Sequence, residues 1–226
     1  MIVYKEAAVF SDRADAGRRL AEGLSHHKGD KMVVFAVPRG GVPVAIEVAA
    51  RLGAPLDIVI PRKIPIPFNP EAGYGAVTEE GILVLNEPLV KELGLTRRQI
   101  ESQAEEVRVE IARRAAVYRR RLEAHSVEGK TAIIIDDGLA SGFTMAAAIW
   151  SMQQRKAAKI TVAVPIASGS AYDLIKPLAD ELVCLIVARI KRFAVASFYR
   201  RWHDLTDEEV LEYLEARRRN PPGTKE

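Results

Sequence analysis

Short runs that are apolar throughout alternate along the chain with segments whose apolar residues recur every three or four positions. MVVFAV (32–37), LDIVIP (56–61), TAIIID (131–136), KITVAVP (159–165) and ELVCLIV (181–187) have the length of strands and lack a polar face, the pattern of strands covered on both sides. Between them lie helical patterns. Residues 11–26 carry Ala16, Leu20 and Leu24 behind Ser11 or Asp12 as a cap, and residues 42–52 carry Val44, Val48 and Leu52. Thr96 opens a long helix with Gln99 at capping-box spacing and an apolar stripe of Ile100, Ala104, Val107, Ile111, Ala115, Tyr118 and Leu122. Helices are also predicted over 143–155, 169–178 and 207–218, the last capped by Thr206 and Glu209. The alternation predicts an α/β fold, a three-layer doubly wound and mainly parallel sheet. No internal repeat or linker divides it. The expectation is one domain over residues 1–216 and a disordered tail over 217–226, RRRNPPGTKE.

One stretch breaks the rhythm. Residues 61–85, PRKIPIPFNPEAGYGAVTEEGILVL, hold four prolines and three glycines. A hairpin about Glu79–Gly81 fits its second half. A long irregular excursion inside a compact domain is usually functional, so 61–85 is expected to be a flexible loop or lid, with Tyr74, Glu79 and Glu80 as candidates.

Composition narrows the class. The 226 residues are 48% hydrophobic, enough for a sizeable core, and a net charge of +3 permits a phosphorylated partner without requiring one. Cys184 is the single cysteine, read as a buried free thiol; it excludes an internal disulfide and a thiol zinc cluster. No stretch approaches the ~20 apolar residues of a membrane span. The first residues, MIVYKEAAVFSDR, lack the apolar centre of a signal peptide, so a cytoplasmic protein without a membrane partner is expected.

The candidate chemistry lies in TAIIIDDGLASGFTM (131–145), where an apolar strand ends in Asp136 and Asp137. In an open parallel sheet, ligands bind beyond the carboxyl ends of the strands. The stretch Gly138–Gly142 is rich in small residues, so its N–H groups and the following helix N-terminus can cradle a phosphate, with hydroxyls from Ser141 and Thr144 nearby. Two carboxylates suit a vicinal diol, alone or with a divalent cation. Asp-Asp-Gly by itself is as readily a plain turn. A triphosphatase reading needs GxxxxGK[ST], and Ala124 stands where its first glycine should precede GKT (129–131). No GxGxxG occurs.

IIIDDGLASGFTM resembles the phosphoribosyl-pyrophosphate (PRPP) motif of the type I phosphoribosyltransferases, and the order of elements over roughly 1–200 resembles theirs, including a flexible loop between the second strand and the motif strand. The resemblance implies that Asp136 and Asp137 bind the ribose hydroxyls and favour positive charge on the ring. It implies that Gly138, Ala140, Ser141, Gly142, Phe143 and Thr144 wrap the 5-phosphate. Arg39 and Gly40, in PRGG (38–41), resemble the pyrophosphate loop, with Gly41 beside them; Arg62 and Lys63 would meet the same diphosphate. A Mg²⁺-dependent transfer of phosphoribosyl to a nitrogen nucleophile follows, with a nucleobase as acceptor class, Mg²⁺ bridging towards Asp136 and Asp137 through the ribose, and a homo-oligomer, a dimer by family analogy. Changing both aspartates to Asn is expected to abolish PRPP binding or turnover without unfolding the chain.

This chain departs from the family where 6-oxopurine enzymes carry an acid: that position is Ala140. A small C-terminal hood over 188–216 offers Phe193, Phe198, Tyr199 and Trp202 for stacking on a base, against core packing as the plainer role. His203 receives no role. The rival reading is a PRPP-binding regulator or nucleic-acid-binding protein of the same fold without catalysis. Arg108, Arg113, Arg114, Arg119, Arg120 and Arg121 on the long helix invite it, but Glu101, Glu105, Glu106 and Glu110 interleave with them, so a salt-laced solvated face is expected and nucleic acid is not.

Overall fold

A computed structural model describes residues 9–67, 69–123 and 125–219. Residues 1–8 and 220–226 of the expected domain and tail lie outside the described residues. Asp12 caps α1 (Arg13–Gly23) by accepting the Asp15 N–H at 2.8 Å, and a 3₁₀ turn (Ser25–His27) follows. β1 (Met32–Ala36), α2 (Gly41–Leu52) and β2 (Leu56–Ile58) form the first βαβ unit. Then come β3 (Arg62–Ile66), β4 (Asn69–Val77), β5 (Leu83–Leu85), α3 (Glu87–Glu92) and α4 (Arg97–Tyr118), the last opened by the Thr96–Gln99 capping box. β6 (Thr131–Ile135), α5 (Phe143–Gln154), β7 (Lys159–Ser168), α6 (Gly169–Ile175), β8 (Glu181–Ala188) and α7 (Asp207–Arg219) complete the chain. Residues 217–219, expected in a disordered tail, continue α7.

The main sheet is parallel throughout, in the order β2-β1-β6-β7-β8. The chain steps outward from β1 to β2, returns to β1's other side as β6, and then steps outward the opposite way. The strand order therefore reverses between β1 and β6, and a crevice opens at such a reversal. Alternate residues of each apolar run serve the two faces. Val34, Ala36, Ile133 and Ile135 join a core with α1, α2, α4 and α7. Val33, Phe35, Ala132 and Ile134 join one with α5 and α6. Helices cover both faces of the sheet.

Residues 61–85 are not irregular. They form a separate antiparallel sheet, β3-β4-β5, with the hairpin turn at Thr78–Gly81 as expected. Pro65 fits within β3 because the pairing slips at Ile64–Ile66. The hood residues divide. Val195–Tyr199 lies against the turn after β6, and α7 packs through Val210 and Leu214 into the larger core. Cys184 is half-buried rather than buried; its thiol donates to the Ile186 carbonyl at 3.1 Å, and burial pushes its pKa up to about 12.

Candidate active site

The turns after β1 and β6 meet at the reversal. Val37 N–H donates to the Ile135 carbonyl at 2.9 Å. A Cβ on Gly41 would lie 2.6 Å from that same oxygen, and a Cβ on Gly40 would lie 1.9 Å from Asp137 Oδ2. Only glycine lets the two turns touch. Both turns lead into helices whose N-caps are glycine, Gly40 for α2 and Gly142 for α5, and neither has a side-chain cap. By contrast, Asp12, Asn86, Thr96 and Ser168 cap α1, α3, α4 and α6 with their side chains. At α2 the Gly41 and Val42 N–H groups already donate to the Val37 and Arg39 carbonyls and Pro43 has none, so α5 is the helix start at the crevice left to offer its first N–H groups to another acceptor. Gly142 sits at φ +84°, a left-handed conformation that aims α5. The turn's carbonyls are spent next door: Ser168 N–H donates to the Leu139 carbonyl and Ser168 Oγ to the Ala140 carbonyl. Ala140 and Ser141 are exposed at its rim, and Phe143 and Thr144 are half-buried behind it.

The two carboxylates differ. Asp137 is buried, and Arg13 Nε donates to its Oδ2 at 2.8 Å. Arg13 is itself held by the His203 carbonyl at 3.0 Å and lies 3.9 Å from the Trp202 ring, and Tyr199 OH donates to the Asp137 carbonyl at 2.6 Å. Asp136 is half-buried, and its Oδ1 accepts the Asp137 N–H at 2.8 Å. No cation pairs with it among the described residues. Burial and the neighbouring Asp137 charge push the Asp136 pKa well above the usual range. Burial also raises Asp137, and Arg13 offsets part of that rise. Asp136 therefore offers its carboxylate to the crevice, while Asp137 ties the turn to α1 and to the C-terminal segment. Changing Asp137 to Asn would leave the buried Arg13 guanidinium without its counter-charge, so stability as well as PRPP binding is expected to respond at that position.

Arg39 and Arg62 are brought together. Arg39 lies 3.8 Å from Asp207 and Arg62 lies 3.5 Å from Glu110, and Arg113 and Arg114 share these two acids. Burial, then the charge of Arg114, lowers the Arg62 pKa, and its Nη1 is buried without a hydrogen bond. Such a cluster is short of negative charge and suits a polyanion. Lys63 is exposed beside it on β3.

The lid candidates point elsewhere. Tyr74 is fully buried and donates to Gln103 of α4. Glu79 takes Arg119, and Glu80 takes Arg155 and Ser151. All three fasten the small sheet to the body. Of the stacking candidates, Phe198 and Tyr199 are buried with Phe10 in a third cluster. Phe193 alone of them lines a cleft of about 390 Å³, with Ala140, Ser168, Gly169, Arg189 and Lys191. On α4, Arg97, Arg108, Arg113 and Arg114 pair with glutamates of the same helix, as the interleaving predicted. Arg13 and Asp207 escaped the sequence reading. Neither carries a local signal beyond its place at the start of a helix.

A family model described as a phosphoribosyl transferase domain matches residues 9–197. A crystal structure of TT1426 from Thermus thermophilus is 38% identical, with a TM-score of 0.76, covering 92% of this chain and 98% of that one. The Mycobacterium tuberculosis H37Rv protein named "Putative phosphoribosyl transferase Rv0571c" is 39% identical over 212 residues, 94% of this chain and 48% of that protein, and its counterpart in strain CDC 1551 matches equally. The chain spans about half the length of these curated relatives. With the domain model matched over most of its residues, the chain belongs to the phosphoribosyl transferase domain family and has the type I fold.

Proposed function

We propose that the chain transfers the 5-phosphoribosyl group of PRPP to a nitrogen nucleophile of the nucleobase class and releases pyrophosphate. One observation carries this reading: the small-residue turn after Asp136 leads, at the strand reversal, into α5, which starts on Gly142 without a side-chain cap. The turn 138–142 and the first N–H groups of α5 would hold the 5-phosphate. Asp136 would accept hydroxyls of the ribose and, lying under the ring, would favour the positive charge that builds at C1 as the diphosphate departs. Arg39, Arg62 and the turn at Gly40 would receive that diphosphate. Asp137 acts through Arg13, holding the turn so that Asp136 faces the ring.

A hard carboxylate oxygen that is half-exposed and without a cation partner among the described residues fits Mg²⁺; Asp137, occupied by Arg13, fits it poorly. Bound with PRPP beside Asp136, Mg²⁺ would supply charge neutralisation to the diphosphate. The acceptor would enter from the cleft that Phe193 lines. Ala140 there offers no carboxylate, so the acceptor is held by stacking and by groups other than the acid of 6-oxopurine enzymes.

The test is pyrophosphate release from Mg·PRPP against a panel of purines, pyrimidines, xanthine, orotate and other small nitrogen nucleophiles. Release with one of them, lost in a folded Asp136→Asn variant, is expected. Absence of both release and PRPP binding would overturn the proposal.

A further inference from the structure

Three side chains converge at the opposite end of the sheet. Glu181 opens β8, and His26 and His27 close the turn that leads to β1. His26 Nε2 lies 2.8 Å from Glu181 Oε1, and His27 Nε2 lies 3.0 Å from Oε2. One ligand atom from each residue falls within 4.8 Å of the others. β7 runs its 10 residues between this end and the aspartate turn, a separation on the order of 30 Å. The cluster is not part of the crevice.

His27 carries the argument. It is 2% exposed, and its Nδ1 lies 3.1 Å from Asp30 Oδ2. Both ring nitrogens therefore face carboxylate oxygens. A neutral imidazole donates from one nitrogen only. With Nδ1–H on Asp30, the Nε2 position faces the Glu181 carboxylate, and either a proton or a metal ion on Nε2 satisfies both groups. Metal-ligating histidines have this arrangement, with the outer N–H fixed by a carboxylate. The His26 ring lies 4.3 Å from the His27 ring, so both Nε2 atoms reach the same carboxylate.

We propose that His26 Nε2, His27 Nε2 and Glu181 Oε1 form a binding site for a divalent transition metal of the zinc class. Two imidazoles and one carboxylate favour Zn²⁺ over Mg²⁺ or Ca²⁺. Glu181 Oε2 keeps Lys159 Nζ at 2.7 Å and Thr161 Oγ1 at 3.3 Å. Lys159 is the competing cation, and its side chain, 42% exposed, can withdraw into solvent. The solvent-facing side, where His26 is 54% exposed, leaves the fourth position to water. The ion would clamp the connection between α1 and β1 to the start of β8.

The full chain, stripped with chelator, is titrated with ZnCl₂ alone in a calorimeter, and with CoCl₂ in a spectrophotometer. One Zn²⁺ per chain and a tetrahedral cobalt band are expected. Because a variant of buried His27 can fail to fold, exposed His26→Ala and Glu181→Gln carry the test, each weakening zinc binding by about tenfold or more. Lys159→Ala should tighten it, and Asp136→Asn should leave it unchanged. No zinc uptake by the wild type would overturn the site, as would uptake undiminished in both His26→Ala and Glu181→Gln. The readout is binding, so it stands apart from PRPP turnover.

Discussion

The two ends of the parallel sheet are built on opposite plans. At the carboxyl end, groups are left open: α5 starts on a glycine without a side-chain cap, and Asp136 has no cationic partner among the described residues. At the amino end, side chains engage one another: Glu181 alone meets His26, His27, Lys159 and Thr161. The difference teaches which ligand each end suits: unspent backbone donors at the carboxyl end suit a phosphate, and converging side-chain donors at the amino end suit a metal ion. An end that leaves donors unspent and crowds like charges sacrifices stability there, and such groups persist at functional sites. Within the carboxyl end the same contrast repeats between neighbours, since Asp137 is spent on Arg13 and Asp136 is not.

The largest expected effect breaks that neighbouring pair. Asp137→Asn leaves the Arg13 guanidinium, 8% exposed, without its counter-charge. Removing one partner of a buried pair costs about 3–5 kcal/mol, so chemical denaturation should report a loss of that order. Arg13→Leu should lose as much by stranding the carboxylate. If either variant kept wild-type stability, Asp137 would be as free as Asp136 and the contrast would fail. Next comes Asp136→Asn. It should retain the fold and lower turnover of PRPP by about 10²–10³-fold, the scale of one preorganised electrostatic group. A loss confined to KM would instead make Asp136 a binding group only.

The sequence carried the local features of the carboxyl end better than its long-range contacts. Strand runs such as TAIIID and the small-residue turn after it are local patterns, so the order of elements and the positions of Asp136, Gly40 and Gly142 were readable without coordinates. Contacts between residues far apart in the chain were not. Arg13 sits 124 positions from Asp137, and nothing around it signals a partner. Tyr74 reads as a loop residue among glycines and prolines, yet β4 turns it into the core, because three short strands pairing with one another satisfy a backbone that proline-rich sequence suggested was irregular. Phe198 and Tyr199 are aromatic residues after the last strand, which suits a base or a core equally; only packing against Phe10 decides between them.

A smaller effect sharpens the backbone half of the contrast. Gly142→Ala forces a Cβ into a left-handed conformation, 3.1 Å from Leu174, at a cost of roughly 1–2 kcal/mol. The distortion falls on the start of α5, so KM for PRPP should rise more than stability falls. The matching change at Gly94, also at positive φ with nothing within 4 Å, should cost similar stability and leave KM alone.

The smallest effect is a pH dependence carried by Asp136, the more strongly raised of the two aspartates. Asp136 has a folded pKa above its unfolded value, raised by burial and by Asp137. Between the two values the folded state binds more protons than the unfolded chain, so stability falls as pH rises through that window. Asp136→Asn removes this dependence. The melting temperature of the variant, measured from acid to neutral pH, should therefore gain on the wild type as pH increases and exceed it near neutrality. A variant that gained nothing would mean that Asp136 ionises without cost, already paired in solution by a cation, and its contrast with Asp137 would then fail.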